Sequence, residues 1–464
     1  AISLLADTTE VPFTQTAGIL SLITKVRAAC DCPRLVALTR DDFLSRSLDL
    51  EPSASILVKP NNEEARIMVF SSTESLDDEG ACEKLVQPVT HTVDLGDGKQ
   101  VAVLVPESDQ FAARLKKVAR LRRKWAKRAG VTCYRVYDAD LPDYAAAIDL
   151  YQGSDATPGR WLVIAEYAAP RTVDPSLARA RLLDILTIAP IVLDVDPDHV
   201  HAKARTRSRG GSQYADAGRS SMSRSGRGPQ DAVDEDSRRR LPRIQEGGLT
   251  FLVNFDDYLD TGIFLDHRVT RDLVREHARG KKRFLNLFAY TGTATCYAAD
   301  GGVEETVTVD LSNTYLDWAD RNMRLNGFTG RNHEFVRADV RRWISEQRET
   351  RNRWDLIFCD PPTFSNSSKM GNRTFDVQRD HTELIIGLSR LLTRQGEAIF
   401  SCNLRTFKPD IEGLARAGVV LTDITAQTIP EDFARNPRIH KCYLVKRYTV
   451  EEAMQRAGIE AGLG

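Results

Sequence analysis

The chain has 464 residues, 42% hydrophobic and 28% charged, with a formal net charge of −1 at pH 7. That length suggests roughly two to four domains, and the balance is that of an ordinary globular protein. No uninterrupted apolar stretch reaches the roughly 18–20 residues that cross a bilayer, which argues against a membrane protein.

The first residues, Ala1-Ile2-Ser3-Leu4-Leu5-Ala6, lack an initiator Met and a basic segment, so they do not read as a signal peptide. They suit a chain cut from something longer. Residues 1–110 read as an incomplete α/β unit. Ile19–Val26 suggests a helix, and Arg34–Leu38 and Arg66–Phe70 suggest strands. His91–Leu95 and Gln100–Val105 flank Gly96-Asp97-Gly98, a hairpin signal. This region has no Gly-rich cofactor loop and no paired prolines.

Residues 111–128 carry nine Lys or Arg and no acid. Phe111, Leu115, Val118 and Trp125 share one helical face, and Gly130 stops the helix, so 111–130 reads as a basic helical linker. A solvated face and a polyanion footprint both fit it. From 131 to 262 a small α+β domain is expected. Its strand candidates are Ala145–Tyr151, Trp161–Tyr167, Val200–Thr206 and Leu249–Phe255, with a helix at Pro175–Leu186. Within it, 210–242 is rich in Ser, Gly and Arg, cannot bury a core, and is expected to be mobile.

From 263 to 450 the pattern becomes an alternation of apolar strand runs and helices, which implies a parallel sheet with crossover helices. The strands are Phe284–Phe288, Thr306–Val309, His333–Val336, Asp355–Phe358 and Ala398–Ser401. Thr314–Asn326 and Thr382–Leu392 are the clearest helices. Leu421–Ala426 and Cys442–Arg447 complete a seven-stranded sheet, and 451–464 reads as a tail.

Eight cysteines (Cys30, Cys32, Cys82, Cys133, Cys296, Cys359, Cys402, Cys442) form no CxxC pair. No metal is expected from them, and reduced thiols in a cytoplasm are.

The chemistry concentrates at strand ends. The strand Phe284–Phe288 runs into Ala289-Tyr290-Thr291-Gly292-Thr293-Ala294, a small polar turn that opens a helix, where backbone N–H groups can approach a ligand. Asp310 ends the next strand, eighteen residues after Gly292, where α/β nucleotide binders hold a ribose diol. Asp339 ends the third strand, where an adenine amino group could be held. Asp360 ends the fourth and precedes Pro361-Pro362-Thr363-Phe364. Two prolines fix that backbone and remove two donors, leaving carbonyls and Phe364 to line a slot for a flat base. There is no Gly-x-Lys-[Ser/Thr] and no GxGxxG.

This order of motifs resembles class I S-adenosylmethionine methyltransferases. From Cys133 to Val445 the chain more closely resembles the C-terminal half of the bifunctional bacterial 23S rRNA guanine methyltransferases, the RlmKL family. The resemblance lies in CYRVYDADLPDY (133–144), DYLDTGIFLDHR (257–268), LNLFAYTGTAT (285–295), VDLSNTYLDWADRN (309–322), DPPTFSNS (360–367), TFDVQRDH (374–381) and DFARNPRIH (432–440). It implies a Rossmann-like domain preceded by a small RNA-contacting domain, with S-adenosylmethionine as cofactor and 23S rRNA or its large-subunit precursor as partner. It implies methylation of guanine N7. Residues 1–110 resemble the tail of the N2-guanine half. The chain departs from the family in a Ser/Arg-rich insertion near 218–242 and in Cys402, where an Asn-type residue is expected.

On this reading Asn286, Phe288, Tyr290, Thr291 and Gly292 hold the methionine end of the cofactor. Asp310 with Ser312 takes the ribose, and Asp339 takes the adenine. By the resemblance, Thr261, Gly262, Phe264 and Arg268 lie over the cofactor, Arg268 as a candidate for its carboxylate or an ion-pair partner of Asp266 or Asp272. Asp360 and the Pro361–Phe364 backbone orient the base, with Phe364 stacking on it. Arg120, Arg123, Lys124, Lys127, Lys203, Arg205, Arg207 and Arg209 hold RNA phosphates. Two alternatives remain: an RNA 5-methylcytosine methyltransferase using Cys402 as nucleophile, and a non-catalytic RNA-binding protein.

Overall fold

The structure is a computed structural model that describes residues 3–7, 34–39, 54–58, 65–71, 91–167, 172–204, 241–255, 260–365 and 374–459. It divides into two compact units, 1–129 with 134–151 and 160–207, and 130–133 with 152–159 and 208–464. The expected helix at Ile19–Val26, nearly all of the Ser/Arg-rich insertion, and Arg205, Arg207 and Arg209 lie outside the described residues.

The first unit begins with four strands, β1 (Ser3–Asp7), β2 (Arg34–Thr39), β3 (Ala54–Val58) and β4 (Ala65–Ser71), in the order β1-β2-β4-β3. β1 and β2 are parallel, and β4 is antiparallel to both β2 and β3. The expected hairpin forms from β5 (His91–Asp94) and β6 (Gln100–Val103). Gly96, Asp97 and Gly98 all take positive φ in its turn, and Asp94 Oδ1 accepts from Gly96 N at 2.7 Å.

The basic helix α1 spans Ser108–Ala129. It is a packed element rather than a linker. Phe111 and Leu115 are fully buried, and the Phe111 ring meets Tyr137 edge-on at 5.3 Å and stacks on Tyr144 at 5.0 Å. These partners lie on or beside β7 (Tyr134–Asp138), which pairs with β8 (Ala146–Gln152) in a sheet completed by β9 (Arg160–Glu166) and β10 (Val200–Ala204). The helix α2 (Pro175–Leu193) runs a further two turns beyond the expected Leu186. Its buried Asp184 accepts from Leu104 N, Val105 N and Ser108 Oγ, which ties the start of α1 down.

In the second unit, β11 (Arg243–Glu246) and β12 (Leu249–Leu252) form a hairpin. The last of these strands, expected in the small domain, belongs here because its polar backbone finds partners here. Leu252 N donates to Asn322 Oδ1 at 3.0 Å, and Leu252 O accepts from Trp318 Nε1 at 3.2 Å.

The chain continues through α3 (Arg268–Ala278), β13 (Arg283–Leu287), α4 (Thr293–Asp300), β14 (Glu305–Asp310), α5 (Asn313–Leu325), β15 (His333–Arg337), α6 (Val340–Arg348) and β16 (Trp354–Cys359). A short pair, β17 (Phe364–Ser365) and β18 (Phe375–Asp376), precedes α7 (Val377–Ser389) and β19 (Leu392–Cys402). The remainder is α8 (Ile411–Arg416), β20 (Val419–Asp423), α9 (Thr425–Thr428), β21 (Lys441–Arg447) and α10 (Val450–Arg456). Seven strands form one sheet in the order β15-β14-β13-β16-β19-β21-β20. All neighbours are parallel except β21, which runs antiparallel to β19 and β20.

Both faces of this sheet are covered, which is why its strands read as near-continuous apolar runs. Leu285, Leu287, Ile357 and Phe400 pack with Trp343, Ile344 and Leu384 on one face. Phe284, Leu356, Phe358 and Ile399 pack with Val274 and Ala298 on the other. Two elements sit away from their expected places. Asp376 caps α7 by accepting from Arg379 N, so the helix starts at Val377 and Leu392 is already in β19. Asp423 accepts from Thr425 N at 2.8 Å, which turns the chain out of β20 and into α9. The expected tail also carries structure: α10 opens with a Thr449–Glu452 capping box and buries Ala453 and Met454.

The strands β1, β2, β4 and β3 repeat the order and sense of β16, β19, β21 and β20: one parallel neighbour followed by two antiparallel ones. Among the described residues no helix is long and apolar enough to cross a membrane.

Candidate functional site

The strand order reverses between β14 and β16 on either side of β13. Ligands of open α/β sheets bind in the crevice at such a switch point, beyond the carboxyl ends of the strands. The loop after β13 is wound tightly there: Phe288, Tyr290 and Gly292 all have positive φ, at 56°, 52° and 69°. A side chain at Gly292 would bring its Cβ to 2.6 Å from the Ala319 Cβ, so the loop lies flush on α5.

Asp310, at the end of β14, fixes this loop. Its Oδ2 accepts from Tyr290 N and its Oδ1 from Ser312 N, both at 2.9 Å. Burial pushes its carboxyl above the ordinary value, opposed by these backbone donors. Ser312 caps α5 through Tyr315 N. Asn286 is buried on β13. Its Nδ2 donates to Thr295 Oγ1 at 2.9 Å, and its Oδ1 has no partner among the described residues.

The segment around Thr261 and Gly262 is brought onto the same loop. Thr291 Oγ1 donates to Gly262 O at 2.5 Å, and Asn322 Nδ2 donates to Thr291 O at 2.9 Å. Gly262 has a φ of 99°, and a Cβ there would lie 2.3 Å from the Trp318 ring. The Phe264 ring lies 5.1 Å from Tyr290. Asp339 caps α6, with Oδ1 accepting from Arg341 N and Arg342 N.

Arg268, the candidate for a cofactor carboxylate, is engaged by protein groups. Its guanidinium is buried, bonded to Asp432 Oδ1 at 2.5 Å and to Cys133 O at 2.8 Å. Its ion-pair partner is Asp432, from DFARNPRIH. Sequence spacing could not show this, because 164 residues separate the two.

Asp360 stands at the end of β16, with Pro361 buried and Pro362, Thr363 and Phe364 half-buried. Thr363 O accepts from Val377 N at 3.1 Å, and Thr363 Oγ1 donates to Asn403 Oδ1 at 2.5 Å, which fixes the turn from both sides. The Asp360 carboxyl is pushed up to about 7 by burial and by the negative charge of Asp266, with His440 and Arg271 opposing. His267 Nε2 lies 3.7 Å from Asp360 Oδ2. Asp266, His267, His440, Trp318, Asn322 and Asn403 contact these candidate residues or lie beside them, and their roles are not evident from motif spacing. All but Asn403 sit inside DYLDTGIFLDHR, VDLSNTYLDWADRN and DFARNPRIH.

Cys402 is fully buried and its thiol is pushed up to about 12 by burial. The thiolate that a cytosine-C5 enzyme needs is therefore strongly disfavoured. Cys133, Cys296, Cys359 and Cys442 are also buried free thiols. In the other unit, Arg120, Arg123, Lys124 and Lys127 are exposed along α1. Lys203 is half-buried on β10.

The sequence of residues 177–434 matches the family model described as S-adenosylmethionine-dependent methyltransferase. A ribosomal RNA large subunit methyltransferase K/L of Allochromatium vinosum is 50% identical over 341 residues, covering 74% of this chain and 43% of that protein. The protein of the same name from Vibrio cholerae is 46% identical over 349 residues, covering 75% of this chain and 45% of its own. The chain thus spans less than half the length of these relatives. In fold it is similar to SMU.776, a protein solved in complex with SAH, with a TM-score of 0.53 at 18% identity over 96% of this chain and 100% of that one.

Proposed function

The chain belongs to the S-adenosylmethionine-dependent methyltransferase family, and on that premise we propose that it methylates guanine N7 in large-subunit ribosomal RNA. The observation that carries this reading is Asp360-Pro361-Pro362-Thr363-Phe364 at the end of β16, beside the β13 loop that Asp310 holds in place. The K/L names of the relatives support the RNA class.

The residues present fit the cofactor. The loop has three left-handed residues, one of them Gly292, which has no room for a Cβ. The Asn286 carbonyl oxygen is buried without a partner among the described residues. Asn286, Phe288, Tyr290, Thr291 and Gly292 would hold the methionine end, Thr261, Gly262 and Phe264 would cover it, Asp310 and Ser312 would take the ribose, and Asp339 the adenine. When bound, S-adenosylmethionine supplies an electrophilic methyl group.

Guanine N7 has an in-plane lone pair and no proton, so its alkylation needs no general base. The site residues have only to orient the base and offset the positive charge that develops on it. An ionised Asp360 accepts from the base's N1–H and exocyclic N–H, and Phe364 offers a stacking face. Because N7 is hidden in the deep major groove of A-form RNA, the target must be locally opened. The exposed cations of α1 would hold phosphates meanwhile. The strand pattern shared by 3–71 and the edge of the large sheet supports reading residues 1–110 as the tail of another methyltransferase-like domain.

Replacing Arg120, Arg123, Lys124 and Lys127 by Gln should weaken RNA binding and flatten its salt dependence while cofactor affinity holds. An unchanged salt slope in filter binding at several salt concentrations would reduce α1 to a solvated face. The guanine and cytosine readings separate on Cys402→Ala. A guanine-N7 enzyme keeps its turnover, since the thiol is buried and protonated, whereas an enzyme that adds Cys402 to cytosine C6 loses it entirely.

A further inference from the structure

Beside Asp360 lies a group of titratable side chains that methyl transfer to N7 does not itself require. Asp266 Oδ2 is 3.2 Å from His440 Nδ1 and 3.7 Å from His267 Nε2. That same His267 nitrogen is 3.7 Å from Asp360 Oδ2. The two imidazoles stack with centroids 4.5 Å apart and planes 21° apart. His440 is 0% exposed and His267 7%.

Their neighbours locate the hydrogens. The Thr428 hydroxyl donates to Thr425 O at 2.9 Å, so it accepts at its 3.0 Å contact with His440 Nε2. This contact favours a hydrogen on His440 Nε2. Were it neutral beside an ionised Asp266, its Nδ1 lone pair would face a carboxylate oxygen at 3.2 Å. One further hydrogen must sit between those two atoms, as imidazolium with carboxylate or as imidazole with carboxylic acid. Either way the buried pair is neutral as a unit. His267 Nδ1 has no partner among the described residues, which favours its hydrogen on Nε2, between the two carboxylates. The near-parallel rings direct their in-plane lone pairs along separate planes, an arrangement that suits a shared hydrogen better than a shared metal ion, although one donor atom from each of the three residues lies within 4.8 Å of the others.

We propose that Asp266 and His440 share one hydrogen and, with His267 as the bridge, set the charge and orientation of Asp360, so that all three are positioning residues for the target base. The proposal rests on Asp360 being the carboxylate that orients that base. Among the described residues Asp266, His267, His440 and Arg271 bear on Asp360, the last ion-paired with Glu246 at 2.7 Å, as do the thiols of Cys359, Cys402 and Cys442. Burial keeps the thiols of Cys359, Cys402 and Cys442 protonated around it. Burial also holds both imidazoles below their usual range, His440 with the help of His267, while Asp266 opposes. The Asp360 carboxyl itself titrates near 7, so small changes in its neighbours alter the fraction ionised at working pH. As pH falls through that value the carboxylate is lost, and with it the acceptor for two guanine donors.

The test is a 13C titration of the full chain carrying carboxyl-labelled aspartate, with Asp360 assigned through Asp360→Asn. Asp266→Asn removes the negative end of the pair, which bears on Asp360 more strongly than the positive end does, and should lower the Asp360 midpoint slightly. His440→Gln removes the hydrogen that neutralises Asp266 and should raise it by about one pH unit. The acidic limb of the methylation rate should move with the midpoint in the same directions. A purely structural pair would not give opposite shifts. A midpoint in the ordinary carboxylate range in the unsubstituted chain, or shifts that are absent or of one sign, would overturn the proposal, and His267→Gln supplies the same reading should either variant fold poorly. Opposite shifts in a protein that leaves guanine unmethylated would uphold the hydrogen-sharing unit and overturn only the guanine reading.

Discussion

Arg268→Met is expected to destabilise the methyltransferase domain by about 3–5 kcal/mol, because it removes one partner of a buried ion pair. Asp432 is 1% exposed, and the Arg268 guanidinium is bonded to it at 2.5 Å. The substitution also removes the donor to Cys133 O. Urea unfolding should show a lower midpoint with an unchanged slope. A second substitution, Asp432→Leu, should restore part of the loss, since removing both charges abolishes the desolvation cost that removing one exposes. If Arg268→Met left the midpoint in place and weakened S-adenosylmethionine binding instead, Arg268 would be a cofactor ligand and the ion pair incidental.

Asp310→Ala should weaken S-adenosylmethionine binding by about 1–3 kcal/mol, the cost of losing a charged hydrogen-bonding partner. Two effects combine in that figure. The carboxylate is the expected acceptor for the ribose hydroxyls, and it also holds the β13 loop through Tyr290 N at 2.9 Å. Asp310→Asn keeps one acceptor oxygen and should fall between the two. Isothermal titration calorimetry measures this directly, and unchanged affinity in the alanine variant would remove Asp310 from the site.

The alternation of strand and helix from Lys281 onward was legible because the sheet is buried on both faces, so Phe284–Phe288 and Asp355–Phe358 carry apolar runs that a one-sided sheet would lack. The strand-end acids were legible for a related reason: in a parallel sheet every carboxyl end points to one edge, so Asp310, Asp339 and Asp360 must gather there. Boundaries set by side-chain caps were harder. Asp376 and Asp423 stop or start elements through single hydrogen bonds to Arg379 N and Thr425 N, which apolar periodicity does not register.

Pairings distant in sequence were not legible at all. Arg268 with Asp432, and Asp266 with His440, join residues more than 160 positions apart, and local pattern had offered Arg268 nearer acids as partners. The partners of the expected strand Leu249–Phe255 were hidden for the same reason, since Asn322 and Trp318, which hold Leu252, lie far along the chain.

The most direct measurement is nucleoside analysis of large-subunit rRNA methylated by this chain with labelled S-adenosylmethionine. The label should appear in 7-methylguanosine, at a position that cleaves under reduction and aniline, and none should appear in N2-methylguanosine, since the Asp-Pro-Pro motif of the chain is confined to residues 360–362. Label in 5-methylcytidine, in N2-methylguanosine, or in no nucleoside while cofactor binding persists would contradict the guanine-N7 assignment.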